Sequence, residues 1–320
     1  MAADTTAPSY WLNWRFLLCA IWILVAMMIA ALLIWRYEGR SKPRYRQSGD
    51  EQEAAGCLYD DEVWGTCSKS IHPIWMLAYR IVAFSVLLAL LLADIIIHSG
   101  RKYYFYTQWT FTLVTLYFGL GSSLSIHGCL RYHREAESRR HYCVGPDADH
   151  GSYVPLGENA DLSSMTGSSN HHGEPNWRTA ASAWGYVFQI VFQMCAGAVA
   201  LTDIVFWSII YPSLITRNYR LTFLVLCMHS VNAVLLLGDA ILNSLRFPFF
   251  RIAYFVLWTC IYVIFQWIIH AFVSMRWPYS FLDLSSPYAP LWYFAIGLLV
   301  FPCFGIFIII FRVKQCYLAR

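Results

Sequence analysis

The order of apolar and polar positions divides the chain into seven long hydrophobic stretches separated by polar segments. A helix needs about 20 apolar residues to cross the hydrocarbon core of a bilayer, and each stretch meets or nearly meets that length. The chain is therefore predicted to be an all-α, polytopic bundle of about seven transmembrane helices. The predicted spans are 16–35, 74–97, 104–127, 184–210, 221–242, 253–273 and 291–311.

Composition supports a membrane protein and argues against a nucleic-acid partner. Hydrophobic residues make up 58% of the chain and charged residues 13%, against roughly a quarter charged in a soluble domain. The net charge of +4 is small and lies in the loops, so the predicted partners are membrane lipids and not nucleic acid. The first stretch ends in Trp35-Arg36 without a small-x-small cleavage site, which indicates a retained helix.

Lysine and arginine residues determine the predicted orientation. With the C-terminus in the cytosol, 16 of the 23 basic residues lie on the cytosolic side and 6 lie outside, as the positive-inside rule favours. The predicted membrane is the endoplasmic reticulum or the plasma membrane. The predicted organisation is an extracytosolic N-terminus (1–15), a first helix (16–35), a cytosolic loop (36–73), helices 2 and 3 (74–130), a flexible cytosolic loop (131–182), helices 4 to 7 (183–311) and a basic cytosolic tail (312–320).

The two long loops and the cysteines suggest no further folded unit or metal site. Neither loop has a sustained apolar period, so both are predicted to be linkers without a packed core. Cys57 and Cys67 lie in a loop assigned to the reducing cytosol, which argues against a disulfide. Their spacing to His72 fits no common zinc site, and neither a metal nor a cofactor is predicted.

Ionisable residues occur inside five of the seven stretches. Such residues are costly in hydrocarbon and normally face the protein interior or a wet cavity. At 100° per residue, the polar residues of each helix fall on one stripe, which indicates stripes turned towards the interior of the bundle. The ionisable residues are Arg80, Asp94, His127, Asp203, His229, Asp239 and His270.

Depth in the predicted membrane separates the polar residues into two groups. Arg80 and Asp239 fall in the inner half on different helices, and they are predicted to pair. The outer group forms either hydrogen-bonded contacts between helices or the wall of a cavity, and the sequence leaves both interpretations open. The outer group contains Asp94, Thr107, Asp203, His229 and His270.

The outer group contains the parts of an activated nucleophile. A histidine beside a hydroxyl can accept its proton as the oxygen attacks an acyl carbon, and a carboxylate can orient the imidazole. Thr107 with His229 as base, and Asp203 or Asp94 as the carboxylate, would meet that requirement. Metal binding or proton relay is the alternative chemistry for such residues.

Three stretches resemble a known family of membrane proteins. WGTCSKSIHPIWMLAYRIVAF at 64–84, HSVNAVLLLGDAILN from His229 and FLDLSSPYAPLWY from Phe281 are similar to the rolling stone-like membrane proteins. This resemblance covers about residues 64–312. It implies an uncharacterised multi-pass protein with a core of six helices.

More distantly, the six-helix part resembles the androgen-induced and androgen-dependent hydrolases, which cleave fatty-acid esters of hydroxy fatty acids with a threonine and a histidine. Thr107 precedes Tyr117-Phe118-Gly119 much as the threonine of that family precedes its aromatic pair and glycine. His229 precedes Asp239 by ten positions, as the family's histidine precedes an acidic residue, whereas 230–232 depart from the family pattern. The resemblance implies Thr107 as nucleophile and His229 as base.

Three classes of function are compatible with these observations. A transporter would show inverted repeats or matching broken helices, whereas Pro302 is the exception among helices nearly free of proline. The predicted function is hydrolysis of lipid acyl esters by catalytic residues Thr107, His229 and Asp203. The alternative is a non-enzymatic membrane scaffold or receptor-like interaction protein.

Overall fold

The computed structural model describes residues 4–38, 56–68, 71–143, 179–216 and 220–318, without the side chains of 138–143. Within these residues seven helices are long and apolar enough to cross a membrane. The predicted all-α, polytopic bundle is confirmed, and the chain is a multi-pass integral membrane protein. The spans are Trp14–Tyr37, Pro73–His98, Tyr106–Glu137, Ala183–Ile215, Phe223–Leu242, Phe249–Phe272 and Ala289–Leu318.

The spans contain long helices, and two of them are interrupted. The fourth span changes from α-helix to a π-helical turn (Phe206–Ile210), and the fifth is broken at His229 and Ser230. Short 3₁₀ turns occur at Phe249–Arg251 and Ser280–Leu282. The helices are α1 (Pro8–Trp11), α2 (Trp14–Tyr37), α3 (Asp60–Trp64), α4 (Pro73–His98), α5 (Tyr106–Cys143), α6 (Ala183–Val205), α7 (Tyr211–Ile215), α8 (Phe223–Met228), α9 (Val231–Leu242), α10 (Ile252–Phe272) and α11 (Ala289–Leu318).

Local sequence signals explain where several of these helices begin and end. Asn13 caps α2 by accepting a hydrogen bond from the amide of Phe16 at 2.9 Å, and Ser182 caps α6 in the same way. Such caps satisfy amide groups that have no partner within the helix. The helix α4 ends where Ser99 adopts the left-handed conformation at φ 51°, which turns the chain back towards α5.

The helix α6 lies in the middle of the bundle, where it packs against α5, α9, α10 and α11. Gly197 allows its close approach to α10, since a Cβ atom there would lie 2.3 Å from the ring of Phe255. By contrast, α2 packs on α10 and α11 at the edge of the bundle. Side chains that face lipid therefore dominate α2, and side chains that face protein dominate α6.

Both ends of α2 are tied to the rest of the bundle. At the end of the bundle where α1 lies, the N-terminal end, the hydroxyl of Tyr10 donates to Asp283 at 2.9 Å and Arg15 Nη1 donates to the carbonyl of Ser285 at 2.7 Å. At the opposite, C-terminal end, Arg251 Nε donates to Glu38 at 2.5 Å. The first span is therefore part of the bundle rather than a detached anchor.

The structure differs from the expectation that the long loops lack packed contacts. Residues 56–68 dock on the C-terminal end of the bundle, where Leu58 and Val63 are buried and Arg246 pairs with Glu62 at 3.0 Å. The helix α5 continues to Cys143, so the first part of the 131–182 segment is helical. Residues 39–55 and 144–178 lie outside the described residues.

Candidate active site

The predicted Arg80–Asp239 pair is confirmed as the centre of a buried cluster near the C-terminal end of the bundle. Arg80 Nε lies 3.0 Å from Asp239 Oδ1, and both side chains are fully buried. The hydroxyl of Tyr117 and the amide of Asn243 donate to Asp239 Oδ2, and Arg80 Nη1 donates to Ser125 at 2.7 Å. Both carboxylate oxygens are thus satisfied, which gives this cluster a structural role.

The polar stripe of α6 divides into two parts with different surroundings. Gln189 and Gln193 both donate to the carbonyl of Arg246, at 2.8 and 3.0 Å, and Gln189 also accepts from Arg251. These contacts connect α6 to the segment between α9 and α10. At the other end of the stripe, neither carboxylate oxygen of Asp203 has a hydrogen-bond partner among the described residues, whereas Gln193 leaves only its Oε1 without one.

Asp94, one of the two carboxylates considered as a partner for His229, has partners of its own. Its Oδ2 accepts from Gln108 at 2.7 Å, and its Oδ1 lies 3.0 Å from His98 Nδ1 and 3.6 Å from Lys102 Nζ. These residues surround the turn between α4 and α5. Asp94 therefore stabilises that turn, and the structure supports Asp203 as the carboxylate beside His229.

Two of the predicted histidines lie apart from the site. His270 stacks on Trp277 with ring centroids 3.8 Å apart, and its Nδ1 lies 2.8 Å from the carbonyl of Gln266. His127 is exposed on the surface of α5. The polar interior predicted from seven ionisable residues thus separates into several local clusters.

Buried His229 and partly buried Asp203 form a pair in the half of the bundle towards the N-terminal end. His229 Nδ1 lies 3.5 Å from Asp203 Oδ1, which is longer than an N–H···O hydrogen bond. Neither carboxylate oxygen nor Nδ1 has a hydrogen-bond partner among the described residues. The ring of His229 stacks on Phe206, with centroids 3.6 Å apart and planes 5° apart, so its orientation is restricted.

Both residues lie at or beside irregular backbone within their spans. Asp203 lies just before the π-helical turn Phe206–Ile210, and His229 lies at the break between α8 and α9. Trp207 bridges the two irregularities, because its indole N–H donates to the carbonyl of His229 at 3.1 Å. Single π-turns are frequent at functional sites, and irregular backbone at membrane depth occurs where it is covered by protein or lines a cavity.

Thr107 and His229 line the same cavity, which has a volume of about 60 Å³. The cavity lies between the start of α5, the end of α6, the break in the fifth span and α10. Thr107 and His229 do not hydrogen-bond to each other, and Asp203 lies behind His229 instead of on the cavity wall. The polar side chains on the wall are Tyr106, Thr107, Thr202, His229, Thr259, Tyr262 and Tyr279.

Tyr279 is a cavity residue that the sequence did not identify. It belongs to the segment between α10 and α11, which folds back over the cavity, and the amide of Tyr106 donates to its hydroxyl at 3.1 Å. Burial raises the pKa of Tyr279, while hydrogen-bonding groups of Thr107 and Tyr106 oppose that shift. Its hydroxyl is therefore protonated and can donate one hydrogen bond. In the sequence this residue resembles any aromatic residue at a membrane interface.

A second, larger and almost wholly apolar crevice adjoins this cavity. It has a volume of about 180 Å³ and lies between α2, α10 and α11. Val25 and Ile29 on its wall are 37% and 52% exposed, so the crevice opens on the lipid-facing surface. The crevice and the cavity share five lining residues, which are Thr259, Val263, Phe281, Leu282 and Ile296.

The residues in the described part of the chain include no group of three or more His, Cys, Asp or Glu side chains arranged to hold a metal ion. The chain matches no protein-family model, no curated protein and no solved structure. Function is therefore inferred below from the geometry of the cavity.

Proposed function

We propose that this membrane protein hydrolyses acyl esters of lipids within the bilayer, with Thr107 as the nucleophile. The main observation that supports this proposal is that Thr107 and His229 line one cavity while Asp203 lies behind the imidazole, 3.5 Å from Nδ1. A hydroxyl, a base and an orienting carboxylate are the groups that acyl transfer requires. The three are separated by 96 and 26 positions in the chain, so their convergence is a property of the fold.

The mechanism follows from the orientation of the imidazole. Because Nδ1 points towards Asp203, Nε2 is the nitrogen available to the cavity, and it accepts the proton of Thr107 as the hydroxyl oxygen attacks the ester carbon. The carboxylate of Asp203 stabilises the imidazolium ion that forms. Hydrogen bonds of catalytic groups are often long in a ligand-free enzyme and shorten around the substrate.

In the remaining steps His229 gives its proton to the alcohol product and receives another from water. The tetrahedral intermediate expels the alcohol, which takes the proton from His229, and leaves an acyl group on Thr107. A water molecule that gives its proton to His229 then attacks this ester. When the second intermediate collapses, His229 returns that proton to the threonine oxygen and the fatty acid is released. The Tyr279 hydroxyl can donate a hydrogen bond to the oxyanion of each intermediate.

The unpartnered polar atoms support a site for a polar group rather than contacts between helices. Buried polar groups in proteins are nearly always hydrogen-bonded, and leaving one without a partner costs about 1–3 kcal/mol. Asp203, His229 and Asn232 all have side-chain atoms without partners among the described residues. Arg80 Nη2 and Gln193 Oε1 also lack partners, but of the described residues with such atoms His229 alone lines the cavity.

The test is covalent labelling of the purified protein with a fluorophosphonate probe, followed by an assay of long-chain ester hydrolysis. We expect the wild type to label and hydrolyse, and Thr107→Val and His229→Ala to do neither. The matched controls are Thr110→Val, one turn away in α5, and His270→Ala, since neither residue lines the cavity. A folded wild-type protein that neither labels nor hydrolyses would favour the scaffold or receptor-like alternative.

A further inference from the structure

We infer that the apolar crevice between α2, α10 and α11 binds one unbranched acyl chain of a membrane lipid, whose carboxyl or ester end reaches the Thr107–His229 cavity. The nature of the chemical step at that end depends on the proposed function, whereas binding of the chain does not. The crevice is built partly by the first span, which lies outside the stretches that carry the family resemblance.

Continuity between the two spaces is the first argument. Thr259, Phe281 and Leu282 are part of the wall on both sides, so a ligand that fills the crevice ends beside the polar side chains of the cavity. One molecule with an apolar chain and a polar end matches this division. A wholly apolar ligand would leave the polar atoms around His229 without partners.

The opening of the crevice is the second argument. Val25, Ile29 and Phe301 belong to its wall and are also exposed on the outer surface of the bundle. In a multi-pass protein that surface faces lipid, so a chain can enter sideways from the bilayer without crossing water. This route suits a ligand that is already dissolved in the membrane.

The shape of the crevice is the third argument. Its wall includes residues 22–33 of α2, which span about 16 Å along the helix axis. A dry apolar cavity of about 150 Å³ holds a six-carbon ring. The crevice volume of about 180 Å³ therefore accommodates a chain segment of about six or seven carbon atoms. A long space of small volume suits one extended chain better than a fused-ring sterol.

Close packing limits one side of the crevice. Trp22 lies so near Gly297 that a Cβ atom at that position would be 2.8 Å from the indole nitrogen, and its ring contacts Phe294 edge-on at 4.9 Å. The absence of a side chain at Gly297 lets α2 and α11 approach here. Trp22 and Gly297 therefore narrow the crevice where it lies nearest to the α1 end of the bundle.

The experiment uses the full chain in phosphatidylcholine nanodiscs and a palmitic-acid analogue with a mid-chain diazirine and a terminal alkyne. We expect saturable photolabelling that unlabelled palmitate competes away, with the adducts on crevice residues of α2, α10 and α11. Ala30→Phe, which fills the crevice from a position only 2% exposed, should reduce labelling at least tenfold. The matched control is Ala31→Phe, at the neighbouring exposed position of the same helix, which should label like the wild type.

Two further variants separate folding and chemistry from binding. Val256→Phe fills the same crevice from α10 and should reproduce the effect of Ala30→Phe if that variant is folded poorly. Thr107→Val should bind the probe normally while it loses hydrolysis. Competed labelling in the crevice without any hydrolysis would refute the proposed function and leave this inference standing.

Adducts spread evenly over the exposed face of α2, with no competition by palmitate, would overturn the inference. The same holds if both filling variants fold and label like the wild type. Hydrolysis by a wild-type protein whose crevice variants keep full activity and labelling would leave the proposed function standing without an acyl chain in this crevice.

Discussion

Two largely buried acidic clusters of this protein have opposite surroundings. Both oxygens of Asp239 are hydrogen-bonded, to Arg80 on one side and to Tyr117 and Asn243 on the other. Neither oxygen of Asp203 has a partner within the described residues, although His229 is 3.5 Å away. Burying a charged group is costly in both places. The Asp239 carboxylate recovers that cost through its own contacts, although Arg80 Nη2 has no partner among the described residues, whereas the Asp203 carboxylate does not. The Asp203 cluster is therefore the candidate for ligand binding.

The backbone differs between the clusters in the same way. Arg80 and Asp239 project from uninterrupted parts of α4 and α9, whereas Asp203 and His229 adjoin the π-helical turn and the helix break. Uninterrupted helices hold a cluster in one geometry, and irregular backbone leaves carbonyl and amide groups near a cavity. Contacts and backbone therefore both distinguish a hydrogen-bonded cluster on regular helices from a cluster with unpartnered oxygens beside a cavity.

The largest effect is expected from removing one partner of the structural cluster. Asp239→Leu leaves the fully buried guanidinium of Arg80 without its ion pair, and losing one partner of such a pair costs about 3–5 kcal/mol. We expect little folded protein in size-exclusion chromatography and a much lower unfolding temperature. Adding Arg80→Met should restore part of that loss, because no unpaired charge then remains. Equal damage in the single and double variants would contradict the pairing.

The next largest effect is expected from Asp203, the carboxylate of the second cluster. Asp203→Asn should lower kcat for ester hydrolysis by up to about 10⁴-fold, because the imidazolium of His229 loses its stabilising charge. Its unfolding temperature should match that of the wild type, since the carboxylate oxygens have no hydrogen bond to lose. Asp94→Asn is the control and should keep its activity. A strong loss of stability in Asp203→Asn would assign this cluster a structural role.

A smaller effect is expected from the residue that covers the cavity. Tyr279→Phe removes the hydroxyl that accepts from the amide of Tyr106, and with it the proposed donor to the oxyanion. We expect kcat to fall about 10–100-fold with little change in KM, because the bond forms mainly in the transition state. The control is Tyr262→Phe, whose hydroxyl donates to the carbonyl of Tyr104. A comparable rise in KM with an unchanged kcat would instead indicate that the hydroxyl of Tyr279 contributes to substrate binding.

The smallest effect is expected at an exposed ion pair whose N···O distance is similar to that of Arg80 and Asp239. Arg131 Nη1 lies 2.8 Å from Asp60, but the two side chains are 47% and 30% exposed. Exposed pairs contribute about 0–1 kcal/mol to stability, so Arg131→Gln should barely lower the unfolding temperature. High salt screens such pairs, so the decrease should be smaller still in high salt. A loss as large as that of Asp239→Leu would mean that burial does not explain the difference between the clusters.

Parts of the site were predictable because helical periodicity shows which polar residues share a helix face and a depth in the membrane. Arg80 and Asp239 are costly alone in lipid and lie at similar depth, which was enough to predict their pairing. The same reasoning grouped His229 with Asp203, although it could not separate Asp203 from Asp94. That choice depends on which helices are neighbours, and Asp94 contacts α5 through Gln108 instead.

Other parts had no signal in the sequence. Tyr279 belongs to a segment of mixed polarity whose fold-back over the cavity follows from contacts with α5 and α11. The docking of residues 56–68 was also missed, because Leu58 and Val63 are too few to produce a periodic pattern. Short segments that fold only against an existing surface lack the repeated spacing that helices display.

The sequence by itself determined the class of this protein, its seven helices and the polar stripes on five of them, because bilayer thickness and helical periodicity act on residues close together in the chain. Only the tertiary structure decided which polar groups are satisfied and which line a cavity. Those outcomes depend on side chains from distant segments that approach within about 3–4 Å. No pattern along one helix encodes such distances, since they arise from how α5, α6, α9 and α10 pack together.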